Sequence, residues 1–410
     1  MDSVLTTFRR QCIGAMILGL LALTCLYASQ TCGAEGVPKR PVTVMGPPSP
    51  TFETNLPKIE VVLSRPVYVI RSDPKTGKPI MPTDVIALAR PIAWPLTTAP
   101  PASFTWQVFL DWDFKPYPTH HSIQSRTITQ SSPLKVNFGE EIRGGTLTVV
   151  AKTQFNGREI SGQAYGRVLG ENPNHAFVLS AFPNSRFGLI ASKIGMAESG
   201  LMQFGKDGFP SISHTNDVGM MQINAPSGAV TSADEVWDWR ANLRRGLQML
   251  QGKRQITVLA SRHAVNLRRD IDLTDPNFQT LAYLNCARLL LGLAPTSVPS
   301  PPELSEKRGS GCMPGDPDPD RLALSQIERE SIRRYNGGRE YVYRFVPDPR
   351  TLELVPAGWD IDTTRGGVRA KSGDPDYVRH VLNARSGFKL PDPPKTKKKH
   401  HGRRRHHHSA

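Results

Sequence analysis

The chain has 410 residues, 38% of them hydrophobic and 21% charged, which is room for about two domains and too apolar for disorder throughout; a single small disulfide-stapled module is excluded. Its 36 prolines and 34 glycines cluster and do not recur at a fixed step, which argues against collagen-like and solenoid arrays and for Pro-rich linkers. The net charge is +15, but seven of these charges follow the last acid, Asp392, so the body carries 15 less 7, or +8. That excess favours an anionic partner without choosing between a membrane surface, a wall polymer and nucleic acid.

Arg9 and Arg10 precede an apolar run from Ile13 to Ala28, followed by small residues at Ser29, Gly33 and Ala34. This is the layout of a secretory signal peptide over residues 1–34, with a retained anchor as the second choice, because the run is shorter than the roughly 20 residues a bilayer core needs. A periplasmic or secreted protein is expected. Of five cysteines, Cys286 and Cys312 lie in the body, and the sequence leaves them either as a disulfide across a Pro-rich loop, stabilising by about 3 kcal/mol, or as two free thiols.

Residues 35–56 read as a Pro-rich linker. Beyond it, Trp106, Val108, Leu110, Trp112 and Phe114 alternate strictly with other residues, and Leu147, Val149 and Ala151 repeat the period of two. Asn156-Gly157 offers a tight hairpin turn, and Ile59 to Val69 and Leu134 to Phe138 read as further strands. Residues 57–170 are therefore expected to form an immunoglobulin-like β-sandwich. The adjacent His120 and His121 would point to opposite faces of a strand, a poor arrangement for a shared metal.

After Gly170 the period changes. Phe187, Ile190, Ala191 and Ile194 fall on one helix face, and Trp239 to Gln251, Asn277 to Gly292, Arg321 to Tyr335 and Tyr377 to Ala384 read as further helices. The Pro-rich stretch from Ala294 to Asp320 is expected to be a surface excursion, and residues 388–410 a basic, His-rich disordered tail attracted to an anionic wall or membrane surface. The whole is a multidomain α+β chain, with a mainly α domain over residues 171–387.

One more turn of the stripe through Ile194 lands on Glu198, just before Gly200. A buried carboxyl there would hold a proton near neutral pH, as a general acid must; a frayed helix end turned to solvent is the alternative that spacing leaves open. Asn216 to Asn224 follow, reading Asn-Asp-Val-Gly-Met-Met-Gln-Ile-Asn, and far downstream come Tyr335-Asn336-Gly337-Gly338. Glu-Ser at a helix end, then Gly-x-Met-Gln-Ile-Asn, then Tyr-Asn-Gly-Gly, in that order, resembles the lytic transglycosylase catalytic domain related to goose-type lysozyme. Asp238 to Leu243 with Gly246 resembles the helix which that family places behind its cleft. The resemblance covers about half the chain, from Ala181 to Gly387.

The resemblance implies a lysozyme-like α fold, a peptidoglycan glycan strand as substrate, no metal or organic cofactor, and no specific nucleic acid. It makes Glu198 the acid/base with Ser199 beside it, has Met221 and Gln222 line the sugar-binding groove, gives Tyr335 a hydroxyl that orients the carboxylate, and has Asn336 support that turn. Core roles for Met220 and Ile223 are the plainer reading. Cleavage between N-acetylmuramic acid and N-acetylglucosamine with a 1,6-anhydro product would need this single carboxylate, whereas most glycosidases need two. Asp217 is the nearest second carboxylate; facing the cleft it would make a hydrolytic muramidase instead. A wall-binding or secretion-apparatus protein on the same fold without turnover is the rival from another class, and an antibacterial effector delivered into rival cells, with the same chemistry, is the third reading. Two features depart from the family: Arg333-Arg334 precede Tyr335 where an alanine is usual, and the gap from Asn224 to Tyr335 is long.

Overall fold

The computed structural model describes residues 57–114, 117–224, 232–262, 276–297, 299, 302–317, 322–361 and 373–390. The expected signal peptide and linker, and the tail from residue 391, lie outside them. Nine strands come first: β1 (Lys58–Leu63), β2 (Val67–Ser72), β3 (Pro79–Ile80), β4 (Ile86–Ile92), β5 (Phe104–Phe114), β6 (Tyr117–Gln130), β7 (Leu134–Lys135), β8 (Gly145–Phe155) and β9 (Arg158–Gly170). They form a three-stranded sheet, β1-β4-β7, and a six-stranded sheet, β3-β2-β9-β8-β5-β6, in which β2 and β9 run parallel.

The alternation in β5 sends Phe104, Trp106, Val108, Leu110 and Trp112 inward. Antiparallel register sets Trp106 against Ala151, Val108 against Val149 and Leu110 against Leu147 of β8, so the large residues stack in rows across the sheet. Next to them β9 carries Gly162, Ala164 and Gly166 at the same period, opposite Ala151, Val149 and Leu147. These small residues let β1 approach: a Cβ on Gly162 would lie 2.1 Å from the Ile59 carbonyl oxygen, and one on Gly166 2.9 Å from the Leu63 side chain. Asn156 and Gly157, with φ of +50° and +76°, close the β8–β9 hairpin.

The single strand read over Ile59 to Val69 is two strands in different sheets. Pro66 has no N–H for a ladder, and at the break the Arg65 N–H donates to the Tyr68 hydroxyl at 3.1 Å.

The second half comprises α1 (His175–Ala181), α2 (Arg186–Ser199), β10 (Asp217–Val218), β11 (Ile223–Asn224), α3 (Ala233–Trp237), α4 (Trp239–Arg262), α5 (Pro276–Leu290), α6 (Gln326–Tyr335), β12 (Tyr341–Pro347), β13 (Leu354–Ile361) and α7 (Tyr377–Asn383). Helix α6 starts at Gln326, later than Arg321, because Ser325 and Glu328 form a reciprocal capping box. The β12–β13 hairpin was read as part of a helical region; it is held by Tyr341 and Tyr343, whose rings lie 6.3 and 4.9 Å from that of Trp359.

The Pro-rich insert is docked, at least from Gly309 to Asp316. Gly309 and Gly311 donate backbone hydrogen bonds to Ala323 and Leu324, and Arg329, buried, donates to Asp316 at 2.6 Å and Glu340 at 2.7 Å. Cys286 and Cys312 are free thiols and not a disulfide pair: Cys286 is exposed on α5, and Cys312 is half-buried in the docked insert. No helix among the described residues is long and apolar enough to cross a membrane.

The change of period at residue 170 is not a break in the core. One buried cluster runs from Trp106 and Val149 through Phe204 and Trp237 to Ile194 and Val381. Trp237 of α3 joins the two halves, its ring 6.1 Å from that of Trp112 and 6.0 Å from that of Phe204, over Gly144, where a Cβ would lie 2.2 Å from the indole. The Trp239 indole N–H donates to the Gly77 carbonyl at 3.1 Å. Because β1 rests on the glycine face of β9, Gly162→Val should destabilise the protein by roughly 3 kcal/mol, read as a lower denaturant midpoint in urea unfolding with an unchanged slope.

Candidate active site

Helix α2 begins at Ser185, whose hydroxyl accepts the Gly188 N–H, and ends at Gly200 in the left-handed conformation, φ +67°. Ile190, Ala191, Ile194 and Gly195 are buried along one face, and Glu198, one turn on, is half-buried at the same face.

Opposite it lies the turn from Val218 to Gln222. Gly219 has φ +75° and Gln222 φ +45°, so the turn is held in a conformation that only its surroundings make stable. Two fully buried amides hold it. Gln203 donates to the Val236 carbonyl at 2.6 Å and accepts the Met220 N–H at 3.2 Å. Asn242 of α4 donates to the Val218 and Glu235 carbonyls and accepts the Met221 N–H, all within 3.0 Å. A Cβ at position 219 would lie 2.4 Å from the Asn242 Nδ2, which is why glycine stands there.

The motif residues mostly brace this turn. Ser199 donates to the Met220 carbonyl at 2.8 Å and accepts the Met202 N–H, tying the end of α2 to it. The Met221 side chain does not line a groove: it is wholly buried, wedged over Gly195 and Gly246, where added Cβ atoms would lie 3.0 and 2.5 Å from it. Gln222 is half-buried and its amide donates to the Gly219 carbonyl at 2.7 Å.

Tyr335, expected to orient the carboxylate, instead donates its buried hydroxyl to the Met221 carbonyl at 2.7 Å. Asn336 supports a different segment from the one expected, its Oδ1 accepting the Asp374 N–H at 2.5 Å. That segment leads into α7, and α7 supplies the group that meets the acid: the Tyr377 hydroxyl donates to Glu198 Oε1 at 2.5 Å.

Tyr377 was read from the sequence as the start of a helix and given no part in the site. The apolar stripe Tyr377, Val378, Val381 and Leu382 signals that α7 packs inward, but not that the Tyr377 hydroxyl meets Glu198.

Burial pushes the Glu198 carboxyl up to about 7; the Tyr377 hydrogen bond opposes this, and the negative charge of Asp217 adds to it. Burial, and then the charge of Glu198, also hold Tyr335 and Tyr377 well above the usual phenol range, so both remain hydrogen-bond donors. Asp217 itself is tied up in its own hairpin. Its carboxylate accepts from the hydroxyl of Ser213 at 2.9 Å, from the hydroxyl of Thr215 and from the amide of Asn224. Among the described residues no group of three or more His, Cys, Asp or Glu side chains is placed to hold a metal ion. Chemically, the arrangement offers one carboxyl able to give and retake a proton near neutral pH.

Compared with family models, with curated proteins and with solved structures, the chain matches none.

A carboxyl raised from 4.5 to about 7 binds its proton more tightly folded than unfolded, so its contribution to stability is complete below about 4.5 and is lost as pH rises through 7. The full difference is about 3 kcal/mol. Glu198→Gln, which stays neutral and keeps an acceptor for Tyr377, should therefore melt higher than the wild type at pH 8 and at nearly the same temperature at pH 4.5, in thermal unfolding followed by circular dichroism.

Proposed function

We propose that the protein is an exported peptidoglycan lytic transglycosylase that cuts the glycan strand between N-acetylmuramic acid and N-acetylglucosamine, with Glu198 as its acid/base. The observation that carries this reading is Glu198 itself: a half-buried carboxyl at a helix end, raised to about 7 and held by the Tyr377 hydroxyl. The Glu-Ser, Gly-x-Met-Gln-Ile-Asn and Tyr-Asn-Gly-Gly blocks support it by converging on that carboxyl, through the Val218–Gln222 turn and the segment before α7. On this reading the helical half is a lysozyme-like domain, the strand-rich half an immunoglobulin-like module that positions the enzyme on the wall, and the basic tail a non-specific contact with anionic wall or membrane.

Protonated Glu198 gives its proton to the glycosidic oxygen, and the bond from that oxygen to the anomeric carbon of the muramic sugar breaks as charge builds on that carbon. The Tyr377 hydrogen bond stabilises the carboxylate so formed. That carboxylate takes the proton from the 6-hydroxyl of the same sugar, whose oxygen bonds to the anomeric carbon and closes the 1,6-anhydro ring. The proton returns to Glu198, so no water is consumed.

The alternative of a hydrolytic muramidase needs a second carboxylate to activate water. Asp217 has donors on both its oxygens from Ser213, Thr215 and Asn224, which favours ring closure over hydrolysis.

Purified murein digested with the wild-type protein should give 1,6-anhydro muropeptides by mass spectrometry, at a rate that falls above about pH 7 as Glu198 loses its proton. Glu198→Gln should lower the yield by at least about 100-fold. Reducing-end products would establish hydrolysis, and no product from the folded wild type would leave a binding protein.

A further inference from the structure

Resting on the reading of Glu198 as the acid, we infer that Lys193 is a positioning residue for that acid: its ammonium clamps the C-terminal end of α7 so that Tyr377, at the other end, meets the Glu198 carboxyl.

Helix α7 is seven residues long, too short to hold itself, and must be fixed by its neighbours. Its N-terminal approach is fixed by Asn336, which accepts the Asp374 N–H, and by the tight passage of Gly373, where a Cβ would lie 2.3 Å from the Asn336 carbonyl oxygen. Its C-terminal end is fixed from α2. The Lys193 Nζ donates to the Leu382 carbonyl at 2.8 Å and to the Ala384 carbonyl at 2.6 Å, carbonyls that a helix end leaves without partners. A cation there also opposes the negative end of the helix dipole.

Lys193 and Glu198 stand on the same helix, five residues apart. Thus α2 carries both the acid and the clamp on the helix that hydrogen-bonds the acid. The neighbouring contacts run the same way: Ser192 and Ser386 share a hydrogen bond of 3.0 Å between their hydroxyls, just past the clamped carbonyls. The groups that face Glu198 are Tyr377 from α7, Asp217 from β10 and Tyr335 from α6. Lys193 acts on Tyr377 through the backbone of α7, while Tyr335 is tied to Met221 and Asp217 to its own hairpin.

The test is the titration of Glu198, followed by carbon NMR of glutamate-labelled protein, with the pH profile of murein cleavage beside it. Tyr377→Phe removes the hydrogen bond to the carboxylate, and its midpoint should rise by about one pH unit. Lys193→Met should raise the midpoint in the same direction and add nothing in the Tyr377→Phe background, while Lys193→Arg, which keeps a cationic donor, should restore the wild-type value. Should Lys193→Met fail to fold, Lys193→Gln is read in its place.

A wild-type midpoint in a Lys193 variant with a lowered melting temperature, or full additivity with Tyr377→Phe, would overturn the proposal. The titration needs no turnover. If murein yields no products from the wild type, the enzymatic reading fails, while the coupling of Lys193 to the Glu198 carboxyl is still decided by NMR.

Discussion

The structure is organised around a carboxyl that has been taken partly out of water and given one hydrogen-bond donor. Burial of Glu198 costs free energy that ionisation would increase, and the Tyr377 hydroxyl returns part of it by accommodating the charged form. The balance leaves both protonation states within reach near neutrality. Strip the donor and the carboxyl becomes harder to ionise; expose it to water and it loses its proton at a lower pH. Each element about the site keeps one side of that balance. Helix α2 sets the depth of the carboxyl, the Val218–Gln222 turn closes the wall beside it, and α7 brings the phenol.

Much of the bracing is done by backbone carbonyls, and this explains how residues can be recognisable by type and spacing while their roles are misread. Ser199 and Tyr335 both point at the Met220-Met221 peptide segment, Gln222 closes its own turn, and Asn336 holds the chain that leads to α7. None of these has its observed contact on Glu198. They fix where two helices and a strained turn meet, and Tyr377 then donates its hydrogen bond to Glu198. A substitution among them would act on Glu198 indirectly, by moving the turn or a helix.

Period was enough to locate β5, β8 and the apolar face of α2, and residue type the Asn156-Gly157 turn, because these depend on residues adjacent in sequence; for Glu198, spacing left burial and a solvent-facing helix end both open. Features set by distant partners were not legible in the same way. The break in the first strand is local, at Pro66 and the hydroxyl of Tyr68, but the parting of its two halves is set by their distant partners β4 and β9. The docking of the Pro-rich insert depends on Arg329, which in sequence looks like an ordinary helix charge but is buried with Asp316 and Glu340. Met221 read as a groove residue because its position fitted a pattern; its burial is decided by Gly195 and Gly246, from two other helices. Tyr377 was hidden for the opposite reason, since nothing near it in sequence marks it as more than an apolar helix start.

The wedge of Trp237 between Trp112 and Phe204 has a mechanical consequence. The indole is shared property of the sheet and of the helices that frame Glu198, so the strand-rich half is not a bead on a string that could be severed after Gly170 and leave a finished remainder. Either fragment would present a raw aromatic scar to water. A displacement of the β-layer would be passed through that ring to the segments beyond it.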